Sequence, residues 1–278
     1  MKRYISALSI AGSDPSGGAG VQADIKTFSA LGVYGAAAVT ALTVQNTMGV
    51  KYVHSVPAQV VYDQIVAVME DLHPDAVKIG MVNDAATLDA IINALTDCRP
   101  PFLVVDPVMV SSSGKMLLSS DALTLLEKRL LPITDLLTPN IPEASVLTGM
   151  PPVSANDVES AARAILDYGT RSVLIKGGHA SGCVKTDILF SVIDGNISLN
   201  EYSAPSVASR NTHGTGCTLS SAIAAFVARG NSLVEAVGKA KRYLTSALTA
   251  GADITIGRGT GPLNHFFSPV PAIVIDKE

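Results

Sequence analysis

What most limits the fold is a rhythm in the chain. Short apolar runs that stop on a glycine or a polar residue alternate with segments whose apolar residues recur at helical spacing. Phe102-Leu103-Val104-Val105-Asp106 is the clearest short run, unbroken apolar side chains ending on a carboxylate. A strand without polar alternation is buried on both faces, as in a parallel sheet sandwiched by helices. Ile5–Ala11, Ala36–Val44, Ala76–Met81, Leu136–Asn140 and Val173–His179 read the same way. Val60, Val61, Ile65, Val68, Met69 and Leu72 form one helical stripe, and Leu88, Ile91, Ile92 and Leu95 another. Further helices are predicted over Val21–Phe28, Ser120–Leu130 and Leu233–Leu248. Asp187–Ile193 and Ile197–Ser203, parted by Asp194-Gly195-Asn196, suggest a hairpin.

This alternation predicts an α/β fold, an open and mostly parallel central sheet flanked by helices on both faces. A β/α barrel needs regular units throughout, which the hairpin and the late pair of consecutive helices break. No repeat or linker is visible, and 278 residues fit a single domain, 1–278. The net charge of −4, with no basic block, argues against nucleic acid or an anionic membrane as partner. Cys98, Cys183 and Cys217 are too scattered for a disulfide framework or a zinc site, so a reducing cytoplasm is expected. The apolar stretch after Met1 is short and interrupted, and reads as a first strand instead of a leader. No run is long enough to span a bilayer.

Ligands of open α/β sheets gather at the carboxyl ends of the strands. There the chain places the loop Gly12-Ser13-Asp14-Pro15-Ser16-Gly17-Gly18-Ala19-Gly20, which matches neither G-x-x-x-x-G-K-S/T nor G-x-G-x-x-G. A second glycine-bearing stretch, Asn211-Thr212-His213-Gly214-Thr215-Gly216-Cys217-Thr218, precedes a helical stripe of Leu219, Ala222, Ile223, Phe226 and Val227. A helix starting near Gly216 would aim free amides and the positive end of its dipole at an anion, as a transferring phosphate requires. Cys217 would sit at that helix entrance, where a thiol is easily deprotonated. Asp106, Asn140, Glu143 and Lys176 all lie where a strand passes into a loop. Two carboxylates can hold Mg²⁺ on nucleotide phosphates, and a lysine can neutralise them. Gln45 carries a donor and an acceptor side by side, the complement of an aminopyrimidine edge. Each of these residues also has an ordinary reading as a turn, a cap or a solvated strand end.

The ordered set narrows the choice. G-S-D-P-S-G-G-A-G-x-Q-A-D, T-A-x-x-x-Q-N-T, D-P-V-M, T-P-N-x-x-E, K-G-G-H and the G-T-G-C segment resemble the hydroxymethylpyrimidine (phosphate) kinases, a branch of the ribokinase-like fold. Most of that superfamily has Asp where this chain has Cys217. The resemblance runs from Ile5 to Phe266 and implies an ATP- and Mg²⁺-dependent kinase of thiamine biosynthesis. Such an enzyme phosphorylates 4-amino-5-hydroxymethyl-2-methylpyrimidine, then its phosphate. It implies Gly214, Thr215, Gly216 and Cys217 as the catalytic segment, with Cys217 as base. Gln45, Asp24, Gly12, Ala19, Val44, Met81 and Val108 are then expected at the pyrimidine, and Lys176, Asn140 and Thr212 at ATP. Asp106 and Glu143 are the expected Mg²⁺ residues, directly or through water. A homodimer is expected.

Pyridoxal kinase is the competing assignment. Some dual-specificity relatives carry a lid cysteine soon after D-P-V-M, where this chain has Ser111, Ser112 and Ser113. From other classes, a dinucleotide oxidoreductase lacks its glycine fingerprint. A non-catalytic pyrimidine sensor is opposed by the intact anion-hole loop and acidic pair. A cysteine hydrolase on Cys217 lacks an obvious base, His213 being too near in sequence.

Overall fold

The computed structural model describes residues 1–109, 119–151, 154–178 and 182–276. Ser111, Ser112, Ser113 and His179 lie outside the described residues. The strands are β1 (Lys2–Tyr4), β2 (Ser6–Ser13), β3 (Tyr34–Asn46), β4 (Gly49–Ser55), β5 (Ala76–Ile79), β6 (Leu103–Val105), β7 (Leu136–Leu137), β8 (Ser172–Ile175), β9 (Val184–Ile193), β10 (Asn196–Pro205) and β11 (Val274–Asp276). The helices are α1 (Gly20–Ala30), α2 (Ala58–Leu72), α3 (Ala85–Asp97), α4 (Ser120–Leu125), α5 (Ile141–Thr148), α6 (Ala155–Leu166), α7 (Thr215–Ala228) and α8 (Leu233–Gly251).

Nine strands form one sheet in the order β10-β9-β8-β7-β6-β5-β2-β3-β4. The run from β8 to β3 is parallel. β4 closes one edge antiparallel, and the β9–β10 hairpin closes the other. The hairpin turns at Asp194 and Gly195, both at positive φ (49° and 77°), the backbone a tight two-residue turn demands.

Period-2 alternation sorts the buried strand residues between two cores. Leu103 and Val105 pack with Leu8, Ile10, Val77 and Ile79 against α2 to α6, while Val104 joins Ala7, Ala76 and Leu174 against α1, α7 and α8. The sheet is therefore buried on both faces, as its apolar runs predict. The segment expected as one helix over Ser120–Leu130 is α-helical only to Leu125 and continues as a π-type turn over Leu126–Leu130. β4, α6 and the β1–β11 pair add to the elements readable from periodicity.

Candidate active site

At the carboxyl ends of the parallel strands two glycine-bearing loops face each other. The loop after β2 enters α1, and the loop before α7 packs on it. Gly214, the N-cap of α7, has φ 83° and offers no side-chain cap. A Cβ there would stand 1.9 Å from the Gly18 carbonyl oxygen, so the two loops can meet only at a glycine. In the first turn of α7 the Thr215 amide donates back to the Thr212 carbonyl at 3.3 Å, while the Gly216 and Cys217 amides have no carbonyl one turn back in the helix and can face an anion.

Behind these amides lies a charged cluster. Lys176 Nζ donates to Asp106 Oδ1 at 2.7 Å and lies 3.9 Å from Glu143 Oε2. Thr138 Oγ1 also donates to Asp106 Oδ1, at 3.1 Å. Asn140 and Glu143 close a capping box on α5: the Glu143 amide donates to Asn140 Oδ1 and the Asn140 amide to Glu143 Oε2, each at 2.8 Å. Burial pushes the Asp106 carboxyl up, but Lys176 and Lys78 more than reverse this and hold it below the usual range. Glu143 goes the other way: burial, helped by the Asp106 charge and opposed by Lys176, pushes it up to about 7. Gly216 joins cluster and amides, since a Cβ on it would lie 3.2 Å from Asp106 Oδ2 and 3.6 Å from Lys176 Nζ. Asp187 supports the same corner, accepting from the Gly177 amide at 2.9 Å and from Lys241 Nζ at 2.7 Å.

The other half of the site is uncharged at its centre. Gly12 abuts Met81, whose Cε would lie 2.5 Å from a Cβ at that glycine. Thr40 Oγ1 donates to the Met81 carbonyl at 2.9 Å. Ala19 precedes α1 and gives its amide to Asp14 Oδ2 at 2.9 Å. Gln45, at the end of β3, has its carboxamide 3.2 Å from His213 Nε2. The His213 ring reaches Asp14 Oδ2 at 2.8 Å. Gln45, Gly12, Ala19 and Met81 thus gather beside Gly214, with Thr215, Gly216 and Cys217 following in the first turn of α7. Val108 is half-buried just after Asp106, and its amide donates to the Asp106 carbonyl at 2.9 Å. Thr212 is exposed, two residues before Gly214.

Three expectations change. Asp24 does not line the pocket: it is fully buried on α1, one turn below Gly20. Its carboxylate is filled by Lys78 Nζ at 2.8 and 3.0 Å, Ser9 Oγ at 2.6 Å and Ser221 Oγ at 2.7 Å. Nothing is left to offer a substrate. Val44 is exposed on the face of β3 opposite Thr43 and Gln45, because one step along a strand reverses the side chain. Cys217 is no preformed thiolate. Burial pushes its thiol up to about 11, although Lys78 and the Gly20 amide pull the other way. The expectation weighed the helix dipole but not the cost of a desolvated anion, which is the larger effect.

Asp14, His213, Lys78 and Asp187 are site-supporting residues that the motifs alone did not single out. Lys78 sat in plain view within a strand otherwise apolar, and a lysine in a buried strand calls for a carboxylate partner.

This geometry has close relatives. The sequence model of the phosphomethylpyrimidine kinase family matches residues 14–264. The hydroxymethylpyrimidine/phosphomethylpyrimidine kinase of Rhizobium meliloti is 50% identical over 262 residues, covering 94% of this chain and 96% of that protein. The thiamine biosynthesis bifunctional protein ThiED of Geobacter sulfurreducens is 47% identical over 95% of this chain, which spans 52% of that longer protein. Among solved structures, phosphomethylpyrimidine kinase from Clostridium difficile superposes with TM-score 0.77 at 43% identity, covering 88% of this chain and all but 1% of that one (99%). The pyridoxal kinase of Staphylococcus aureus in complex with AMP-PCP superposes with TM-score 0.85 at 33% identity, covering 95% and 94%. The chain is a kinase with the ribokinase-like fold of these neighbours, and it belongs to the phosphomethylpyrimidine kinase family.

Proposed function

We propose that the chain transfers the γ-phosphoryl group of ATP to the hydroxymethyl oxygen of 4-amino-5-hydroxymethyl-2-methylpyrimidine, and then phosphorylates that phosphate to the diphosphate used in thiamine synthesis. The carrying observation is Gly216, which stands against both Asp106 and Lys176 while its loop neighbour Gly214 stands against the Gly12–Gly20 loop. One short segment therefore separates a cationic, carboxylate-rich corner suited to ATP from a polar-edged pocket suited to a small ring.

In the transfer, the substrate oxygen bonds to the γ-phosphorus, the bond to ADP breaks, and the hydroxyl proton passes to a phosphate oxygen or to the small thiolate fraction of Cys217. Phosphoryl transfer is catalysed chiefly by positioning and charge stabilisation. Lys176 neutralises nucleotide phosphates, and the amides of Gly216 and Cys217 receive the transferring group, joined by that of Thr215 if it gives up its 3.3 Å bond to the Thr212 carbonyl. Asn140 and Thr212 border the nucleotide side. Asp106 and Glu143 are two carboxylates close enough to share Lys176, a donor set that fits Mg²⁺ once phosphate oxygens complete the shell. Mg²⁺, when bound there, neutralises charge on the phosphates. Cys217 stands where a proton acceptor belongs, but it rests as a neutral thiol with little thiolate to take a proton, and the amides carry most of the acceleration. Gln45 reads the aminopyrimidine edge, with Gly12, Ala19, Met81 and Val108 around the ring.

The exposed apolar side chains of the β3–β4 ribbon, Leu42, Val44, Val50 and Tyr52, support a homodimer, which equilibrium sedimentation tests directly. Three free cysteines and the absence, among the described residues, of a helix apolar and long enough to cross a membrane fit a cytoplasmic enzyme.

A coupled ADP-release assay across candidate alcohols decides the substrate. The aminopyrimidine alcohol is expected to exceed pyridoxal by at least ~10-fold in kcat/KM. Equal or better turnover of pyridoxal moves the assignment to pyridoxal kinase.

A further inference from the structure

His213 takes no part in the chemistry above, yet it bridges the first loop and β3. Its ring meets Asp14 from the first loop and Gln45 from β3, and its Cδ2 would lie 2.5 Å from a Cβ on Gly18. Its own neighbour is Gly214. Asp14 is 199 residues away in sequence and Gln45 is 168.

The proton on His213 can be assigned from its partners. Asp14 is nearly fully buried, and its oxygens also accept from the Ser16 amide at 2.9 Å, the Ser16 hydroxyl at 2.7 Å, the Gly18 amide at 3.1 Å and the Ala19 amide at 2.9 Å. Every named partner is a donor, so Asp14 is an ionised acceptor. Burial alone would push its carboxyl up, but the hydrogen bonds from His213 and Ser16 hold it well below the usual carboxylate range. An acceptor 2.8 Å from Nε2 requires that Nε2 carry hydrogen. The Gln45 atom 3.2 Å from the same nitrogen must then be an acceptor.

The far end of the amide gives the same answer. It lies 3.2 Å from Thr43 Oγ1, whose single proton goes to the Ser13 carbonyl at 2.9 Å. Thr43 is left to accept, so the Gln45 atom facing it must donate. With the amide nitrogen toward His213, one N–H would face another and the Thr43 proton would have two claimants. Turning the amide so that its oxygen faces His213 and its nitrogen faces Thr43 removes the opposed N–H groups and leaves the Thr43 proton to Ser13 alone, while the single Nε2–H is centred on Asp14 at 2.8 Å and shared with the Gln45 oxygen at 3.2 Å.

We propose that His213, held by Asp14, is the positioning residue that fixes the Gln45 carboxamide with its oxygen on the His213 side and its nitrogen on the Thr43 side, and so sets the donor–acceptor order that the pocket reads. This rests on the aminopyrimidine reading above. The amide keeps one lone pair and one N–H for the substrate, in fixed order. A 4-aminopyrimidine fits with its exocyclic amine toward the His213 side and its ring nitrogen toward Thr43. The 4-oxo analogue offers the reverse order, a carbonyl and a ring N–H. It can be accepted only if the amide turns over and abandons both holds.

The test is a selectivity ratio, which a purely structural role would not move. Isothermal titration calorimetry would compare 4-amino- and 4-oxo-5-hydroxymethyl-2-methylpyrimidine on the full chain, wild type and variants. Wild type is expected to prefer the amino form by about 10–100-fold, the scale of a reversed buried hydrogen-bond pair. His213→Ala frees the amide and should bring the ratio to within about 3-fold of unity, chiefly by improving the oxo ligand relative to the amino one. His213→Gln puts an N–H where Nε2 stands and should keep at least half of the logarithmic preference. Thr43→Val, which removes the opposite hold, should also shrink the ratio and carries the test if His213→Ala does not fold. An unchanged ratio in His213→Ala and Thr43→Val, or a wild type that binds the amino form without discriminating, overturns the inference and leaves the proposed function standing. A wild type that binds neither pyrimidine removes both.

Discussion

With Cys98 and Cys183 replaced by serine, alkylation by iodoacetamide reports Cys217 alone. Only the thiolate reacts appreciably, so the rate measures its population. Burial places the thiol at about 11. At pH 7 the thiolate fraction is then about 10⁻⁴, against roughly 3% for an ordinary exposed thiol near 8.5. The reaction at pH 7 should be ~300-fold slower than with a small free thiol, before any steric protection. Because a raised thiol favours the neutral form at all lower pH, the rate should climb about tenfold per pH unit to about pH 11 without a neutral plateau. The same reasoning fixes the mutant. A poised general base is worth about 10²–10⁴-fold, so Cys217→Ala should lose less than ~10²-fold in kcat, with little change in pyrimidine affinity. Cys217→Asp should remain active, and substrate should protect the thiol from reagent. A titration with a midpoint near 7, together with a 10³-fold loss in Cys217→Ala, would refute the argument and restore a thiolate base.

The remaining expectations concern charge, backbone and metal. Lys78→Met leaves the Asp24 carboxylate fully buried with only Ser9 and Ser221, and should cost about 3–5 kcal/mol in urea unfolding; Lys78→Met with Asp24→Asn should recover much of it, and a loss under 1 kcal/mol, roughly, in the single variant would mean the pair is not isolated from water. Gly214→Ala forces a side chain at φ 83° into the Gly18 carbonyl, so kcat should fall by at least ~10²-fold even where circular dichroism shows a folded protein; near-normal turnover would move the anion hole elsewhere. Gln45→Ala should cost roughly 1–3 kcal/mol in kcat/KM for the aminopyrimidine alcohol, and unchanged kinetics would remove Gln45 from the pocket. A chelator should abolish activity and added Mg²⁺ restore it, whereas Asp106→Asn with Glu143→Gln should lower kcat far more than pyrimidine affinity in calorimetry; equal losses would make these residues part of the ring pocket.

The strands of the centre were readable because local sequence decides them. Leu103-Val104-Val105 has no polar face, and a central parallel strand is the structure that buries both of its faces. β4 was not readable for the opposite reason: every residue from Gly49 to Ser55 is exposed, so burial imposes no alternation on it. α6 did carry a signal, the Ser154/Asp157 capping box, though its stripe is mixed with charged residues. The π-type turn over Leu126–Leu130 has no such signature, since its residues are good helix formers.

The site divides along the same line. Asp106, Asn140, Glu143 and Lys176 announce themselves because strand ends are where a sheet delivers polar groups. What each does there depends on partners the chain supplies from far away. Asp24 was expected in the pocket because it closes the motif shared with the resembled kinases, but α1 carries it one turn too deep, into the reach of Lys78 and of Ser221, 197 residues on. Cys217 sits one turn above Ser221 on the same helix, so a single packing of α1 against α7 places both. That packing joins the Gly20 amide to Cys217 at the top and Asp24 to Ser221 a turn below. It leaves the thiol half-buried and protonated. The contact between α1 and α7 that would shape an anion hole is thus the same one that keeps its cysteine protonated: a thiolate here would be a stronger base than a carboxylate, but at neutral pH almost none of it is present.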